Sequence, residues 1–314
     1  MLNVVIIGAG NIAKEHIKCF RDIDGVNLSG IFSRTADKAR RLADEFDIPL
    51  VADDIEHLYA EAKPDLVIVT VNIQSAYEIL SQCIPYKVPI LTEKPIALNY
   101  TLSEKINSIA DEYNTIIWVG LNRRAYSTTR NVYNELNQSI EKRTIQVFDQ
   151  QDLDVVRKIG HPDEVQKYWM YANSIHLIDY LSLFGRGNVS DIQISSGYHN
   201  DMPATVCATL RFDSGDIGIY TALWGMPGPW GCFISTQEKR WELQPLESLK
   251  WCARGSRDWQ EVSPEECDIK YKPGFYHQAH EIVEFLLYDK PTSVPLITEA
   301  LRSTELVSRI YNID

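Results

Sequence analysis

The chain has 314 residues, of which 45% are hydrophobic and 24% are charged, and its formal net charge is −12. At about 100–200 residues per domain, this length predicts two domains. The acidic balance disfavours nucleic acid and anionic membranes as partners, and no stretch approaches the roughly 20 apolar residues that span a bilayer. The six cysteines show neither CxxC spacing nor a zinc pattern with histidine, and the N-terminus lacks a secretion signal. We therefore expect reduced thiols, no metal site and a cytoplasmic protein.

The first 120 residues alternate short apolar runs with helical patterns. The predicted strands are residues 4–7, 26–32, 66–71, 90–91 and 115–119, and the predicted helices include residues 12–20, 35–46, 76–83 and 101–113. Strands that alternate with helices are typical of an α/β fold with a parallel, doubly wound sheet. Ligands of such sheets bind at the carboxyl ends of the strands.

After Gly120 the pattern changes to longer strands with partial alternation. Strands are predicted at residues 144–149, 189–198, 206–212 and 217–224, with further strands near 230–234 and 240–243, and helices near 174–184, 276–288 and 298–311. Consecutive strands joined by turns such as the one at residues 212–216 form antiparallel sheets. Residues 122–314 are therefore predicted to be an α+β domain with a large, mostly antiparallel open sheet.

A glycine-rich turn with the pattern GxGxxA occupies residues 8–13, between the first predicted strand and the first predicted helix. Gly8 allows a tight turn, Gly10 lets the backbone approach a pyrophosphate, and Ala13 permits close packing of helix on strand. Asn11 and Ile12 lie where the helix begins, and the free N–H groups there favour phosphate. The turn predicts a Rossmann dinucleotide-binding domain over residues 1–121.

The second predicted strand leads into Ser33-Arg34-Thr35, without the Asp or Glu that often holds the ribose 2′-hydroxyl of NAD. Arg34 can pair with a 2′-phosphate, Ser33 can donate to it, and Lys38 lies one helical turn further along. This pattern favours NADP(H) as the cofactor, with NAD(H) as the alternative. Arg34 and Lys38 are also compatible with solvated charges at the start of a helix.

Thr92-Glu93-Lys94-Pro95 follows at the end of a predicted strand. Together with the glycine turn and the serine–arginine pair, this motif resembles the Gfo/Idh/MocA family, which includes glucose–fructose oxidoreductase and inositol dehydrogenase. The second half is compatible with that family along its length, including residues 119–124 and 173–179. The resemblance implies that Lys94 touches the nicotinamide ribose and the substrate, that Glu93 belongs to the cofactor site, and that the peptide before Pro95 is often cis.

His176 matches the family's active-site histidine on a helix of the second domain. Because histidine titrates near neutral pH, it suits a base that takes a hydroxyl proton. Many sugar dehydrogenases of the family carry Asp four residues earlier, where this chain has Ala172. Asn173 can hydrogen-bond the substrate or cap the helix that begins near Ser174. Asp179 can orient His176 or face the core.

A second departure from the family follows the third predicted strand. Thr70-Val71-Asn72-Ile73-Gln74-Ser75 stands where many members read T-P-x-x-x-H. Thr70, Val71 and Asn72 can still line the nicotinamide side through backbone contacts. The two departures indicate a divergent subgroup.

We therefore expect an NAD(P)-dependent oxidoreductase that transfers a hydride between the cofactor and a hydroxyl or carbonyl of a sugar, sugar derivative or related polyol. The sugar substrate is implied by the resemblance alone. Lys94 is expected to polarise the substrate oxygen and His176 to exchange the proton. Aromatic side chains with polar tips suit sugars. The residues that could form the substrate wall, or could equally serve packing, are Arg124, Tyr168, Trp224 and Tyr276.

Two other functions remain open at this point. A regulator could bind dinucleotide or sugar without turnover, and a lyase or glycosidase could recycle a tightly held NAD internally. Absence of the aspartate favours the regulator, whereas Lys94 and His176 oppose it. The resemblance also implies a homodimer or homotetramer that pairs through the sheet of the second domain.

Overall fold

The computed structural model describes residues 1–199 and 202–314, which form two compact units. The first unit comprises Met1–Ala125 and Cys267–Leu301, and the second comprises Tyr126–Glu266 and Arg302–Asp314. In the described residues, every helix is too short or too polar to cross a membrane.

The first unit contains a six-stranded, fully parallel sheet in the order β3-β2-β1-β4-β5-β6. Its strands are β1 Leu2–Ile7, β2 Val26–Phe32, β3 Val51–Ala52, β4 Leu66–Val69, β5 Ile90–Glu93 and β6 Ile117–Gly120. The helices between them are α1 Asn11–Arg21, α2 Ala36–Phe46, α3 Ile55–Ala62, α4 Ile73–Cys83 and α5 Tyr100–Tyr113. The parallel, doubly wound sheet predicted for this part of the chain is confirmed.

The sheet of the first unit is covered on both faces, as the continuous apolar runs of its strands require. Val4 and Ile6 point into a core on one face, and Val5 and Ile7 point into a core on the other. All four side chains are at most 1% exposed. Hydrogen-bonded pairing of β1 with β2 on one side and β4 on the other holds the turn that follows it at the carboxyl edge.

The chain returns to the first unit near its end, which differs from the predicted boundary at residues 121/122. Phe275, Ala279 and Val283, on one face of a helix over Phe275–Tyr288, are buried in the same core as α1. The N–H of Val119 in β6 also bonds to the Pro295 carbonyl at 2.9 Å. Long-range burial, rather than chain order, therefore assigns Cys267–Leu301 to this unit.

The second unit contains an eight-stranded sheet in the order β14-β13-β12-β11-β7-β10-β9-β8. Its strands are β7 Thr144–Gln151, β8 Val189–Ser196, β9 Ala204–Phe212, β10 Ile217–Trp224, β11 Gly231–Ser235, β12 Lys239–Leu243, β13 Leu249–Ala253 and β14 Gln260–Val262. The remaining helices of the whole chain, which belong to one unit or the other, are α6 Ser127–Leu136, α7 Leu153–Ile159, α8 Asp163–Lys167, α9 Ile175–Phe184, α10 Glu266–Lys270, α11 Phe275–Tyr288 and α12 Ile297–Tyr311. Among the described strand pairs of this second sheet, only β7–β10 is parallel, so the predicted mostly antiparallel sheet is confirmed.

One face of the second sheet is buried and the other is partly exposed. Along β10, Tyr220, Ala222 and Trp224 are fully buried, while the residues between them are half-buried. Helix α9 packs on the buried face against β7, β10 and β11. The alternation along these strands is the pattern of a sheet with one covered face.

Candidate functional site

The glycine turn after β1 needs glycine at its first position. Gly8 has φ +112°, a conformation that other residues rarely adopt, and its N–H donates to the Phe32 carbonyl at 2.8 Å. A Cβ added there would lie 2.8 Å from the Thr70 carbonyl oxygen. The turn therefore packs tightly between the ends of β2 and β4.

Gly10 is a glycine that neither the backbone nor the packing requires. It is the N-cap residue of α1, with φ −91° and ψ −177°, which any residue can adopt. A Cβ added there would meet no atom of the described residues within 4 Å. The N-terminus of α1 has no side-chain cap among the described residues, so its first N–H groups and its positive dipole face open space. This is the arrangement that a helix presents to a phosphate group.

A pocket at the carboxyl ends of β1, β2 and β4 brings most of the predicted cofactor residues together. Asn11 and Ile12 lie beside it, in the first turn of α1. The residues that line the pocket are Ile7, Gly8, Ala9, Gly10, Phe32, Ser33, Arg34, Thr35, Lys38, Thr70, Val71, Asn72 and Ile79.

The end of this pocket near β2 is basic. Arg34 and Lys38 are exposed there, and none of the described lining residues is Asp or Glu. Arg34 does not extend freely, because its Nη2 donates to Ser75 Oγ at 2.7 Å. The pocket therefore combines a helix N-terminus for phosphate with positively charged side chains after β2.

Lys94 lies directly after β5, and its peptide bond to Pro95 is cis, as the resemblance implies. Burial lowers the pKa of Lys94 to about 8; the charge of Glu93 opposes this shift, and the charges of Arg123 and Lys272 add to it. A lysine in that range titrates close to neutral pH and can hold or release a proton during a reaction.

Glu93, which the motif assigns to the cofactor site, is not among the described residues that line the pocket. Its Oε1 pairs with Nε2 of His16, a buried residue of α1, at 2.8 Å. The His16 ring in turn packs on Phe275, with the ring centres 4.7 Å apart. Glu93 therefore links the end of β5 to α1 and holds the backbone immediately before Lys94.

On the second unit, His176 lies in the first turn of α9 and is 6% exposed. A π-helical turn over Met170–Ser174 precedes α9, a feature that frequently marks functional sites. Asp179 Oδ1 accepts a hydrogen bond from Ser303 Oγ at 2.6 Å, which places this carboxylate toward α12.

Asn173 is not the N-cap residue of α9, and its side-chain amide is bonded within the second unit. Its Nδ2 donates to Gln151 Oε1 at 2.9 Å, and Trp169 Nε1 donates to the same oxygen at 2.8 Å. Gln151 Nε2 donates to Asp149 Oδ1. Because a carboxylate only accepts, Asp149 fixes which way the Gln151 amide points, and Gln151 then fixes Asn173. The Oδ1 of Asn173 is left to accept a hydrogen bond.

Asp149 is buried, and a chain of hydroxyl groups holds its other oxygen. Tyr220 donates to Asp149 Oδ2 at 2.6 Å, Tyr311 lies 2.8 Å from the Tyr220 hydroxyl, and Trp224 Nε1 donates to the Tyr311 hydroxyl at 3.1 Å. Burial raises the pKa of both tyrosines well above the usual value, so both stay protonated and can act as donors.

The four residues predicted for the substrate wall fall into two groups. Arg124 lies in a short 3₁₀ turn after β6, and Tyr168 ends α8 half-buried beside Tyr171. Trp224 is fully buried in the core of the second unit, and Tyr276 stacks on Tyr271 with the ring centres 5.0 Å apart. These contacts fit the packing alternative for Trp224 and Tyr276.

Two polar residues with evident roles were missed by the sequence reasoning. Ser75 stands in the segment that departs from the family pattern and gave no signal by itself. Gln151 had a signal, because Ile145, Val147, Asp149 and Gln151 share one face of β7 and the last two are polar. Polar residues that continue a buried apolar face need hydrogen-bond partners and mark an internal network.

The parallel sheet, the glycine turn and the basic pocket define a dinucleotide-binding protein of the doubly wound class. Residues 2–121 match the model of the oxidoreductase family Gfo/Idh/MocA, which is described by its NAD-binding Rossmann fold. Residues 2–121 therefore form an NAD-binding Rossmann domain of the type found in this oxidoreductase family.

The individual relatives are distant in sequence. The chain is 20% identical over 238 residues to 4-carboxy-2-hydroxymuconate-6-semialdehyde dehydrogenase of Sphingobium sp.. This match covers 74% of this chain and 75% of that protein. It is also 24% identical over 144 residues to myo-inositol 2-dehydrogenase of Thermotoga maritima. That match covers 46% of this chain and only 42% of that protein. The structure of UDP-N-acetylglucosamine 3-dehydrogenase from Acidithiobacillus ferrooxidans is similar with a TM-score of 0.80, at 15% identity, and covers 99% of this chain and 97% of that one.

Proposed function

We propose that this protein is an NADP(H)-preferring dehydrogenase or reductase that acts on a hydroxyl or carbonyl group of a sugar, sugar derivative or related polyol. The observation that carries the proposal is the pocket in which Gly10 leaves room at a helix N-terminus while Arg34 and Lys38 stand at its other end. The first feature fits a pyrophosphate, and the second fits a 2′-phosphate.

Different residues of the pocket would bind different parts of the cofactor. The first N–H groups of α1, at Asn11 and Ile12, would hold the pyrophosphate. Ser33, Arg34 and Lys38 would hold the 2′-phosphate, and the backbone of residues 70–72 would line the nicotinamide side. When bound, the nicotinamide ring supplies or accepts the hydride, and the protein orients the reactants and manages the proton.

Lys94 and His176 are assigned to the substrate oxygen and its proton. With a pKa near 8, Lys94 is mostly charged at pH 7 and can polarise an oxygen by donating a hydrogen bond to it. His176 would exchange the hydroxyl proton, and Asn173 would accept a hydrogen bond from a neighbouring hydroxyl through Oδ1. Arg124 and Tyr168 remain assigned to the substrate wall.

The substrate class follows from the relatives. Inositol and UDP-N-acetylglucosamine are the substrates that the names of two relatives give, and both carry rings with several hydroxyl groups. The Sphingobium relative is named for a semialdehyde, so a carbonyl substrate belongs in the same test.

We also propose that copies of the chain pair through the partly exposed face of the second sheet. Phe148 and Phe233 lie half-buried on this face and pack edge-on against each other with the ring centres 5.6 Å apart. Light scattering tests this directly: Phe233→Arg is expected to reduce the mass of a dimer or tetramer to that of the single chain.

The function is tested by titrating the purified protein with NADPH and NADH and following cofactor fluorescence. Binding of NADPH at least about tenfold tighter is expected, which corresponds to roughly 1.4 kcal/mol. Turnover is then measured with myo-inositol, UDP-N-acetylglucosamine and related sugars in both directions. Equal affinities would remove the NADP(H) preference and keep the Rossmann assignment, and failure of every sugar and semialdehyde to change cofactor absorbance would overturn the substrate class.

A further inference from the structure

The Arg34 side chain is tied to an element that lies far from it in sequence. Arg34 follows β2, and Ser75 lies 41 residues later in the first turn of α4. The strands β2 and β4 flank β1, so the residues after them meet at one edge of the sheet. The 2.7 Å hydrogen bond from Arg34 Nη2 to Ser75 Oγ crosses that edge above the glycine turn.

Ser75 itself is held firmly. It is 5% exposed, and its N–H donates to Asn72 Oδ1 at 3.0 Å. This hydrogen bond is the side-chain cap that Asn72 forms at the start of α4. Asn72 is one of the residues that line the cofactor pocket. The backbone that carries the serine hydroxyl is therefore held by both the helix and its cap.

The hydrogen bond leaves most of the guanidinium group available. A guanidinium has five N–H donors, and Ser75 accepts one of them. The other donors can still form a bidentate pair with a phosphate. An exposed arginine that is free to rotate loses rotamer entropy when it binds, whereas one that is already held loses less.

We propose that Ser75 is a positioning residue that determines cofactor specificity by holding Arg34 in place for the 2′-phosphate. This inference rests on the proposed NADP(H) preference and extends it to a residue that would not itself need to touch the phosphate. Because the hydroxyl acts only through Arg34, its loss weakens the binding of ligands with a 2′-phosphate and leaves ligands without one unchanged.

The experiment compares two pairs of ligands, NADPH with NADH and 2′,5′-ADP with 5′-AMP, which differ only by the 2′-phosphate. Ser75→Ala is expected to raise the Kd of NADPH and 2′,5′-ADP about three- to tenfold, with less than about a twofold change for NADH and 5′-AMP. Ser75→Thr keeps a hydroxyl and is expected to restore the preference. Ser81→Ala is the matched control, because Ser81 Oγ in the same helix donates only to the Tyr77 carbonyl, at 2.7 Å, among the described groups.

Ser75→Asp provides a second variant that does not depend on the loss of a hydroxyl. Asp suits the first turn of a helix. Its carboxylate would pair with Arg34 and repel a phosphate, so the Kd of NADPH is expected to rise by at least about tenfold while that of NADH stays close to the wild-type value.

Arg34→Ala separates this inference from the proposed function. If Arg34→Ala abolishes the NADPH preference while Ser75→Ala and Ser75→Asp keep it, the inference is overturned and the proposed cofactor stands. If Arg34→Ala leaves the NADPH preference unchanged, Arg34 does not hold the 2′-phosphate and the inference fails, whereas equal wild-type affinities for NADPH and NADH would overturn the proposed cofactor itself. Equal losses for Arg34→Ala and for the Arg34→Ala/Ser75→Ala double variant, together with selective loss in Ser75→Ala, support the inference, because Ser75 then has no effect without Arg34.

Discussion

Gly8→Ala and Gly10→Ala add the same methyl group two residues apart, and the structure gives the two variants opposite consequences. At Gly8, the backbone has φ +112°, which costs another residue about 1–3 kcal/mol. The new Cβ would also lie 2.8 Å from the backbone oxygen of Thr70, and relieving that overlap costs about 1–3 kcal/mol more. At Gly10, neither cost arises, since φ is −91° and nothing described lies within 4 Å.

The assay is urea unfolding combined with NADPH titration. Gly8→Ala is expected to lower the free energy of unfolding by about 2–6 kcal/mol, which is a fall in the midpoint of about 0.7–3 M urea at a slope of about 2–3 kcal/mol per M. Gly10→Ala is expected to change the free energy of unfolding by less than about 0.5 kcal/mol. Its methyl group would occupy the space of the pyrophosphate, so the Kd of NADPH is expected to rise by about 10- to 100-fold.

Gly160→Ala is the control for the backbone cost alone. Gly160 has φ +90°, and a Cβ there would meet none of the described atoms within 4 Å, so a loss of about 1 kcal/mol is expected. A wild-type midpoint for Gly8→Ala would refute the tight packing of the turn against Thr70. Wild-type NADPH affinity for Gly10→Ala would show that no pyrophosphate passes over this residue.

Three further results are expected. Burial lowers the pKa of Lys94 from 10.5 to about 8, so the unfolded chain binds more protons than the folded chain between these pH values. The free energy of unfolding of the wild type should therefore rise relative to that of Lys94→Met from pH 8 to 10.5. A difference that is constant with pH would contradict the lowered pKa. Burial alone raises the pKa of Asp216, but hydrogen bonds from Arg186 and from the Arg143 N–H, together with the charge of Arg186, outweigh burial and leave the pKa below its usual value. Asp216→Asn should therefore cost about 2–4 kcal/mol in urea unfolding at pH 7, and the cost should shrink as the pH falls through the carboxyl range. Gln151→Met should lower the unfolding free energy by about 2–4 kcal/mol, because it leaves Asp149 and Asn173 without that partner, and an unchanged midpoint would mean that the network is not formed.

The sequence by itself determined the elements whose signals are local. The strand at residues 26–32 was predicted with the bounds that it has in the structure, and β1 was predicted within two residues. The glycine turn was recognised because a tight turn between strand and helix restricts residue type at fixed spacing. The short strand β3 and the helix α3 were missed, since two residues of strand and eight of helix carry too little periodicity to detect.

Only the tertiary structure decided which distant residues act together. The segment Cys267–Leu301 reads as part of the second domain along the chain, and burial of Phe275 beside α1 returns it to the first unit. Arg34 could be read as a phosphate ligand or as a solvated charge, and its hydrogen bond to Ser75 is a contact across 41 residues that no local pattern encodes. Asn173 could be read as a cap, until Gln151 was found to hold its amide. Local patterns reflect the period of one element, whereas these contacts depend on the order in which strands pair, which is set by burial over the whole sheet.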